Sequence, residues 1–400
     1  MRIAVYKDVM TSGRGADRAT GALANAWAQR GHEVHLFTQC PPKGAALSVK
    51  PDARVQVHFV QAPPRKGWRW TANRLLLKTT WGAKVLRRYL PGCDWVMQMG
   101  RRVREAVAEV APEVLISAGS NELCEVMAEG AVPWPVIQMF HVYPPTCFEK
   151  DKYQRVARFK AALPLASVCQ VLLPSYRALL APYTHAPVEV IGNAVDFGTP
   201  PEPQETRKPQ VVYVAYFTKD KNHEALLEAF AQLKQAEAWT LELYGGGTPA
   251  WEARLRKKVE ALGIAERVHF NGVVANPGAA MRQAAICAFP SRVEGFPLSL
   301  LEAMGLGLAC VGFAASPGVS DLLAEPEGVG LLASAGSQAL AGQLQQLIDH
   351  ANLRAKVGEA AARAVRERYA EATVLEAWER LLQRTAQKKE DARAPKEDMK

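Results

Sequence analysis

The sequence lacks the long apolar run that a membrane-spanning helix requires, which is about 18 residues or more. Its first residues, MRIAVYKD, reach a charged side chain too early for a secretory signal peptide. Hydrophobic residues make up 48% and charged residues 22% of the 400 positions, the composition of an ordinary globular protein with room for more than one domain. Together these features predict a cytoplasmic protein.

Cysteine is also sparse. The seven cysteines are an odd number, they are scattered along the chain, and none belongs to a Cys-x-x-Cys pair. This pattern argues against a disulfide framework and against a structural zinc site, and it predicts that the cysteines are buried free thiols. The sequence also lacks an Asp-x-Asp triplet, which would have suggested a divalent metal.

Acidic residues are rare in one part of the chain, residues 65–104, which hold eleven basic residues and a single acid, Asp94. Trp68, Trp70 and Trp81 lie among these cations. The segment is either a solvated basic face, a nucleic-acid-binding surface or a membrane-binding surface. No recognised nucleic-acid motif accompanies it, whereas an anionic membrane attracts both cations and interfacial tryptophans. We therefore expect no nucleic-acid partner, and peripheral binding at the inner face of the cytoplasmic membrane or to an anionic lipid-linked acceptor.

Strand-like and helix-like segments alternate along the chain, and the alternation starts a second time after residue 209. This is the pattern of parallel, doubly wound sheets. A segment rich in Pro and charge, residues 197–209, resembles a linker. The sequence therefore predicts an α/β protein with two Rossmann-like domains at residues 1–188 and 189–368, a helix at 369–387 that returns to the first domain, and a disordered tail at 388–400.

A glycine-containing loop is predicted at residues 7–20, after the first strand. Gly13 and Gly15 begin a Gly-x-Gly, but Arg18 occupies the place of the third glycine of a dinucleotide-binding fingerprint, and the second strand ends without an acid. A nicotinamide-binding enzyme is therefore disfavoured. The loop, which includes Arg14, is either a tight turn without a ligand or a loop whose backbone amides approach a phosphate or sugar.

The segment SRVEGFPLSLLEAMGLG, residues 291–307, places two carboxylates, Glu294 and Glu302, on a mostly apolar stretch. A carboxylate in such a place is costly to bury without partners. Pro297 suits the first position of a helix that runs to about Met304. The free amides at the start of that helix carry partial positive charge and favour an anion such as a diphosphate.

The side chains around this predicted helix suit the parts of a nucleotide-sugar. Glu302 is expected on the same helix face as Leu298 and Ser299, where it can accept hydrogen bonds from the hydroxyls of a ribose. Glu294, in the loop before the helix, is placed to meet the donor sugar. Lys221 lies near another helix start, where the dipole repels cations, and a phosphate would explain its position. The sequence thus predicts a clamp for a nucleotide-sugar.

The stretch PSRVEGFPLSLLEAM resembles the Glu-x7-Glu signature of the retaining glycosyltransferases of family 4, which have the GT-B fold. The resemblance covers about residues 1–385 and implies two Rossmann-like domains that face a central cleft. Other segments that resemble this family are SGRGADRA, MFHVYPP around His141, VIGNAVD, KNHEALLEAFAQL from Lys221, LYGGG, VHFNG and the last helix with Trp378.

The resemblance also implies a reaction. A family 4 enzyme moves a sugar from a nucleotide-sugar, commonly UDP-linked, to a hydroxyl of a glycan or glycolipid such as the lipopolysaccharide core, with retention of configuration and without a metal or cofactor. By resemblance, the catalytic residues are Glu294, His141 and Lys221. The donor-binding residues are Glu302, Gly295, Phe296, Pro297, Leu298, Ser299, Tyr216, Lys219 and Gly246, and the acceptor or phosphate loop contains Gly13, Arg14 and Gly15.

Four positions depart from the family pattern. Ala215 and Tyr216 stand where the family has Gly-Arg before the lysine, so that Lys219 is a candidate substitute for the missing cation. Ala309 replaces a proline, and Arg14 replaces a glycine. Two alternatives therefore accompany the transferase prediction. One is a non-catalytic GT-B protein that binds a nucleotide-sugar or a partner enzyme, and the other is a GT-B epimerase or phosphorylase.

Overall fold

The computed structural model describes residues 1–11, 15–41, 45–64, 67–76, 78–79, 82, 85, 94–149, 155–198, 201–324 and 328–393. The chain divides into two compact units. The first comprises Met1–Gly192 and the residues from Leu375 onward, and the second comprises Asn193–Val374. The predicted boundary after residue 188 lies a few residues earlier than this division.

The first unit is built on a parallel seven-stranded sheet. Its strands β1 to β7 are Arg2–Tyr6, Glu33–Gln39, Val55–Val60, Val114–Ser117, Val136–Met139, Val168–Val171 and Val188–Val190. They lie in the order β3-β2-β1-β4-β5-β6-β7, that of a doubly wound domain. Strand β1 is central, because Ile3 pairs with Val34 on one side and Val114 on the other. Such strands are apolar on both faces because helices cover the sheet on each side.

The helices of the first unit connect these strands. Helix α1 begins at Gly15, so residues 15–20 are helical and the prediction of a loop over 7–20 is wrong for them. Asp17 in the first turn of this helix complements the positive end of its dipole. Helices α1 to α7 are Gly15–Gln29, Gly67–Leu76, Trp95–Val110, Ser120–Val126, Thr146–Glu149, Arg155–Ala162 and Ser175–Leu180, with a 3-10 turn at Leu163–Leu165.

The second unit is built on a parallel six-stranded sheet. Its strands β8 to β13 are Lys208–Val214, Thr240–Tyr244, Val268–Gly272, Ala284–Phe289, Ala309–Phe313 and Leu331–Ala333. They lie in the order β10-β9-β8-β11-β12-β13, so the direction of strand addition reverses between β8 and β11. The two sheets confirm the predicted class, an α/β fold of two Rossmann-like domains. In such sheets ligands bind beyond the carboxyl ends of the strands at the point of reversal.

The helices of the second unit lead into a long C-terminal helix. Helices α8 to α15 are His223–Ala231, Pro249–Ala261, Pro277–Met281, Leu298–Gly305, Pro317–Ala324, Ser337–Asp349, Ala351–Tyr369 and Glu371–Arg393, with 3-10 turns at Gln204–Thr206 and Ala265–Arg267.

Helix α15 extends beyond its predicted end at residue 387. Residues 388–393 are helical, so the prediction of disorder is wrong for them, while 394–400 lie outside the described residues. The added sequence, KKEDAR, consists mostly of good helix formers. Helix α15 packs through its apolar side, since Trp378 is fully buried and packs edge-to-face on Trp27 with ring centroids 5.4 Å apart. On the next turn, Glu379 lies 2.9 Å from His32 Nε2.

The described helices include none that is both long and apolar enough to cross a membrane. Among the described cysteines, Cys40 is exposed, so the prediction of a buried thiol is wrong there. Cys93 lies outside the described residues, as does Trp81 of the basic segment. The buried free cysteines are Cys124, Cys147, Cys169, Cys287 and Cys310.

Candidate functional site

The loops that follow β8 and β11 meet at the carboxyl edge of the second sheet, where the strand order reverses. Lys221 from the first loop forms an ion pair with Glu294 from the second, with Nζ and Oε1 2.5 Å apart. The Glu294 side chain is 9% exposed and that of Lys221 is 29% exposed. Two of the three residues predicted to be catalytic are thus in direct contact.

Tyr213, near the end of β8, joins the two loops from below. Its hydroxyl donates to the Lys221 carbonyl at 3.0 Å and lies 2.8 Å from the Ser291 hydroxyl. Burial raises the pKa of Tyr213 well above its usual value, so the phenol stays protonated and keeps its donor role. Sequence reasoning missed Tyr213 and Ser291, because one resembles any core aromatic and the other any loop serine.

Asn222 and Arg292 form a second link between the loops. Asn222 adopts the left-handed conformation, with a φ of 55°, which asparagine tolerates better than most residues. Its side-chain amide donates to the Pro290 carbonyl at 3.2 Å. The backbone N–H of Arg292 donates to the Asp220 carbonyl at 2.8 Å. These bonds hold the two loops against each other at the edge of the sheet.

The ion pair changes the explanation for Lys221. A lysine near a helix start needs a nearby negative charge, and the Glu294 carboxylate supplies one without any ligand.

The backbone at Glu294 is also confined by Gly318 in α12. A Cβ atom on Gly318 would lie 2.6 Å from the Glu294 carbonyl oxygen and 2.9 Å from its Cβ. Helix α12 therefore approaches the Glu294 loop as closely as only glycine permits.

Helix α11 begins at Leu298, directly after Pro297, and not at Pro297 as predicted. Pro297 provides no side-chain cap. Within the described part of the chain, the backbone N–H groups of Leu298 and Ser299 find no acceptor. The Ser299 hydroxyl is occupied, since it donates to the Val214 carbonyl at 2.9 Å and ties the helix to β8. The start of α11 thus presents these two backbone N–H groups as donors for a ligand, and the bond from Ser299 to β8 fixes the orientation of the helix.

Glu302 lies on the second turn of α11 and is half-buried. Burial raises the pKa of its carboxyl group. Its carboxylate has no hydrogen-bonding or ionic partner among the described residues. A carboxylate that has lost hydration without gaining a partner is unfavourable unless a ligand supplies donors. This is the clearest signature of a binding site in the second unit.

The glycines that follow β9 lie beside the loop after β8, at the carboxyl edge of the second sheet. Gly245 has a φ of 141°, and a Cβ on it would lie 2.0 Å from the Ala215 carbonyl oxygen. Gly246, the predicted donor-binding glycine, is its neighbour. Tyr216, 58% exposed, and Lys219, also exposed, follow β8 on the same edge. The role of Lys219 as a substitute for the missing cation stays a prediction, as does donor binding by Tyr216.

His141, the third predicted catalytic residue, follows β5 in the first unit. The Thr20 hydroxyl donates to the Ala16 carbonyl at 2.8 Å, so its oxygen is left to accept from His141 Nε2, 3.2 Å away. Burial and the charge of Lys7 lower the pKa of His141 to about 4, so the ring is neutral at pH 7 with its proton on Nε2. Nδ1 is then a buried acceptor that has no partner among the described residues.

A cluster of charged groups that sequence reasoning missed lies where β1 and β4 end. Lys7 Nζ contacts Asp8 at 2.8 Å and also Glu122, on the first turn of α4. The Asp8 backbone N–H donates to the same Glu122 carboxylate at 3.2 Å. Burial and the neighbouring Asp8 raise the pKa of Glu122, and burial also raises that of Glu125, which bonds to the Tyr6 hydroxyl. Glu122 and Glu125 are distant in sequence from Lys7 and Asp8, and the pairing of β1 with β4 brings them together.

The remaining predicted residues are placed as follows. Gly13 and Arg14 lie outside the described residues, and Gly15 is the first residue of α1. Gly295 and Phe296 precede α11, and the Phe296 ring packs edge-to-face on Tyr369, 5.4 Å away. Among the described residues, no group of three or more His, Cys, Asp and Glu side chains is arranged to hold a metal ion. The expectation of a metal-independent site stays a prediction.

Residues 199–364 match the family model described as "Glycosyl transferases group 1", and they lie within the second unit. The similarity to this family is therefore confined to the second unit. An uncharacterized glycosyltransferase of Haemophilus influenzae is 28% identical over 173 residues, which are 43% of this chain and 48% of that protein. The chain spans about half or less of the length of the curated relatives that it matches.

Solved structures resemble a larger share of the chain. Sucrose-phosphate synthase from Thermosynechococcus elongatus gives a TM-score of 0.75 at 19% identity, covering 96% of this chain and 99% of that one. Anabaena HepE in complex with UDP gives a TM-score of 0.72 at 17% identity, covering 96% of this chain and 100% of that one. At such identities the likeness defines the fold alone, and that fold is GT-B.

Proposed function

We propose that the protein is a retaining glycosyltransferase that moves a sugar from a UDP-sugar to a hydroxyl of a glycan or glycolipid, such as the lipopolysaccharide core. The observation that carries this proposal is the half-buried, unpartnered carboxylate of Glu302 behind the free amides of α11. A nucleoside diphosphate supplies what each group requires. Its ribose hydroxyls donate to Glu302, and its diphosphate accepts from the amides of Leu298 and Ser299.

Lys221 contributes the cation. It lies at the same edge of the sheet and, with a donor bound, neutralises charge that develops on the departing diphosphate. In the reaction, the bond between the anomeric carbon and the diphosphate oxygen breaks, and the acceptor oxygen bonds to the same carbon from the same face. The acceptor proton passes to the departing phosphate oxygen. We propose that Lys221 and the amides of α11 stabilise this charge without a metal.

Two further observations support the nucleotide base and the acceptor that we propose. The solved structure of HepE holds UDP, which supports a uridine donor for this chain. The glycolipid acceptor is supported by the excess of cations at residues 65–104. The role of His141 as a group that contacts the donor sugar stays a prediction.

Glu302→Gln is expected to weaken UDP binding about tenfold, because a hydrogen bond to a charged group contributes about 1.5–3 kcal/mol. Isothermal titration calorimetry with UDP measures this change. Glu260→Gln, at an exposed position on α9, removes the same charge elsewhere in the unit and is expected to bind UDP like the unchanged protein. Equal affinities for the unchanged protein and the Glu302→Gln variant would contradict the proposal.

A second candidate function is a nucleotide-sugar-binding protein without catalysis. The specific observation in its favour is Ala215–Tyr216, where the resemblance leads one to expect a second phosphate-neutralising cation. Incubation of the purified protein with a panel of nucleotide-sugars separates the candidates. An enzyme slowly releases nucleoside diphosphate even without an acceptor, whereas UDP binding with no release or transfer across the panel favours the second candidate.

We also propose that residues 65–104 bind the protein peripherally to the inner face of the cytoplasmic membrane. Trp68 on α2 is 66% exposed. Trp68→Ala is expected to weaken binding to anionic vesicles about tenfold, since removing a large aromatic from the interface costs on the order of 1.5 kcal/mol or more. Liposome flotation at low and high salt measures it, with Phe59→Ala, an exposed aromatic outside this segment, as the control. Absence of salt-sensitive flotation by the unchanged protein would overturn this part.

A further inference from the structure

The second unit contains a cavity of about 600 Å³ that the proposed donor site does not use. Lys221, Glu294, Ser299 and Glu302 do not line it. Its walls come from the starts of α8 and α13, from α9, and from the segments after β11, β12 and β13. The lining residues include Asn222, Arg254, Lys258, Arg292, Ser316 and Gly336.

Two helix starts without side-chain caps open on this cavity. Asn222 precedes α8, but its side-chain oxygen accepts from Arg292 and its Nδ2 donates to the Pro290 carbonyl, so the side chain does not cap the helix. Gly336 precedes the thirteen-residue helix α13 with a φ of 105° and has no side chain with which to cap. The first N–H groups of α13, those of Ser337 and Gln338, have no acceptor within the described ranges. Both helix starts direct partial positive charge toward the same space.

A buried hydroxyl provides an independent sign of a ligand. Ser316 lines the cavity and is fully buried, and its Oγ has no hydrogen-bond partner among the described residues. It stands directly before α12, where a serine usually accepts an N–H of the first turn. Here it does not, although Ser320 in the same helix donates normally to the Pro317 carbonyl at 3.2 Å. A buried hydroxyl without a partner costs about 1–3 kcal/mol, which an oxyanion in the cavity would offset.

The charges that line the cavity leave one cation in excess. Arg254 is paired with Glu224 and Lys258 with Glu228, so these four groups neutralise one another, and the Glu228 carboxylate also accepts a hydrogen bond from the Ser337 side chain at the start of α13. The Arg292 guanidinium donates to the Asn222 side-chain oxygen at 3.2 Å and has no carboxylate partner in the described part of the chain. An arginine beside two uncapped helix starts favours a tetrahedral oxyanion, because its fork of donors binds phosphate oxygens in pairs.

We propose that this cavity binds the phosphate group of a small phosphate-bearing solute, separately from the donor site. Arg292 pairs with the phosphate, the N–H groups at the start of α13 donate to it, and the Ser316 hydroxyl donates the remaining bond. The volume accommodates a phosphate monoester of a few carbon atoms as well as free phosphate.

The test uses the full chain with two substitutions, Lys221→Met and Glu294→Gln, which remove the lysine of the donor site. This double variant is the background protein in which the other substitutions are made. Inorganic phosphate and glycerol 3-phosphate are titrated calorimetrically. Arg292→Gln in this background is expected to weaken phosphate binding about tenfold, and Ser316→Ala to weaken it to a smaller extent. The matched controls are Arg256→Gln, an exposed arginine outside the cavity, and Ser320→Ala, and both are expected to bind as the background does.

Hydrogen exchange gives a second readout that does not depend on the variants. Millimolar phosphate is expected to slow exchange of the amides at residues 336–339 in the background protein. Tighter binding of glycerol 3-phosphate than of inorganic phosphate identifies a monoester as the natural ligand, and equal binding identifies free phosphate. Absence of phosphate binding at millimolar concentration, or binding that Arg292→Gln leaves unchanged, would overturn the proposal. Neither result bears on UDP binding at the donor site.

Discussion

Lys221→Met is expected to lower the rate of sugar transfer by about 100-fold or more, because it removes the cation that stabilises charge on the departing diphosphate. The same variant also separates a catalytic role from a structural one. It leaves the Glu294 carboxylate, whose side chain is 9% exposed, without its ion-pair partner. Since Lys221 is partly exposed, we expect the free energy of unfolding to fall by about 1–3 kcal/mol, less than for a fully buried pair.

The double variant Lys221→Met with Glu294→Gln distinguishes these effects. Removing both charges eliminates the carboxylate that lost its ion pair with lysine, so stability is expected to recover toward that of the unchanged protein while activity stays low. Donor hydrolysis, transfer to acceptor and urea unfolding measure the three quantities on each variant. Lys257→Met, at an exposed position on α9, is the matched control and is expected to retain both stability and activity. Full activity of Lys221→Met would refute the proposed role.

The sequence was sufficient to predict the two glutamates, the helix between them and the class of fold. These features are local: an apolar run, a Pro at a helix start and a fixed spacing all lie within residues 291–307. The ion pair was not predictable in the same way, because Lys221 and Glu294 are 73 positions apart. Their contact depends on β8 lying beside β11, which follows from the strand order and not from either segment alone.

The residues that support the site were harder to find. Gly245 is one of three consecutive glycines, and its need for a positive φ and for close approach to Ala215 appears only once β8 and β9 are paired. Gly318 permits the close approach of α12 to Glu294 across a tertiary contact. The Lys7, Asp8 and Glu122 cluster likewise depends on β1 pairing with β4. In each case the local sequence is compatible with several roles, and only the packing selects one.

Asp94→Ala is expected to lower the free energy of unfolding by about 3–5 kcal/mol, the cost of leaving a buried charge without its partner. Asp94 is the single acid among the cations of residues 65–104, and it is fully buried. Its two oxygens accept from the Arg158 guanidinium at 3.1 and 2.7 Å. One of them also accepts from the first-turn N–H groups of Val96 and Met97 and thereby caps α3.

Two comparisons separate the ion pair from the helix cap. Asp94→Asn keeps a side-chain oxygen for the cap but loses the charge, so its stability is expected to lie between that of Asp94→Ala and that of the unchanged protein. Glu129→Ala removes a partly exposed acid that pairs with Arg101 and Arg104, and it is expected to cost less than about 1 kcal/mol because solvent screens that pair. Urea unfolding followed by circular dichroism measures all three variants.

If Asp94→Ala unfolds at the same urea concentration as Glu129→Ala, the buried pair does not stabilise the first unit. The acid would then be incidental to the fold of the basic segment, and its solitary place among eleven cations would need another explanation.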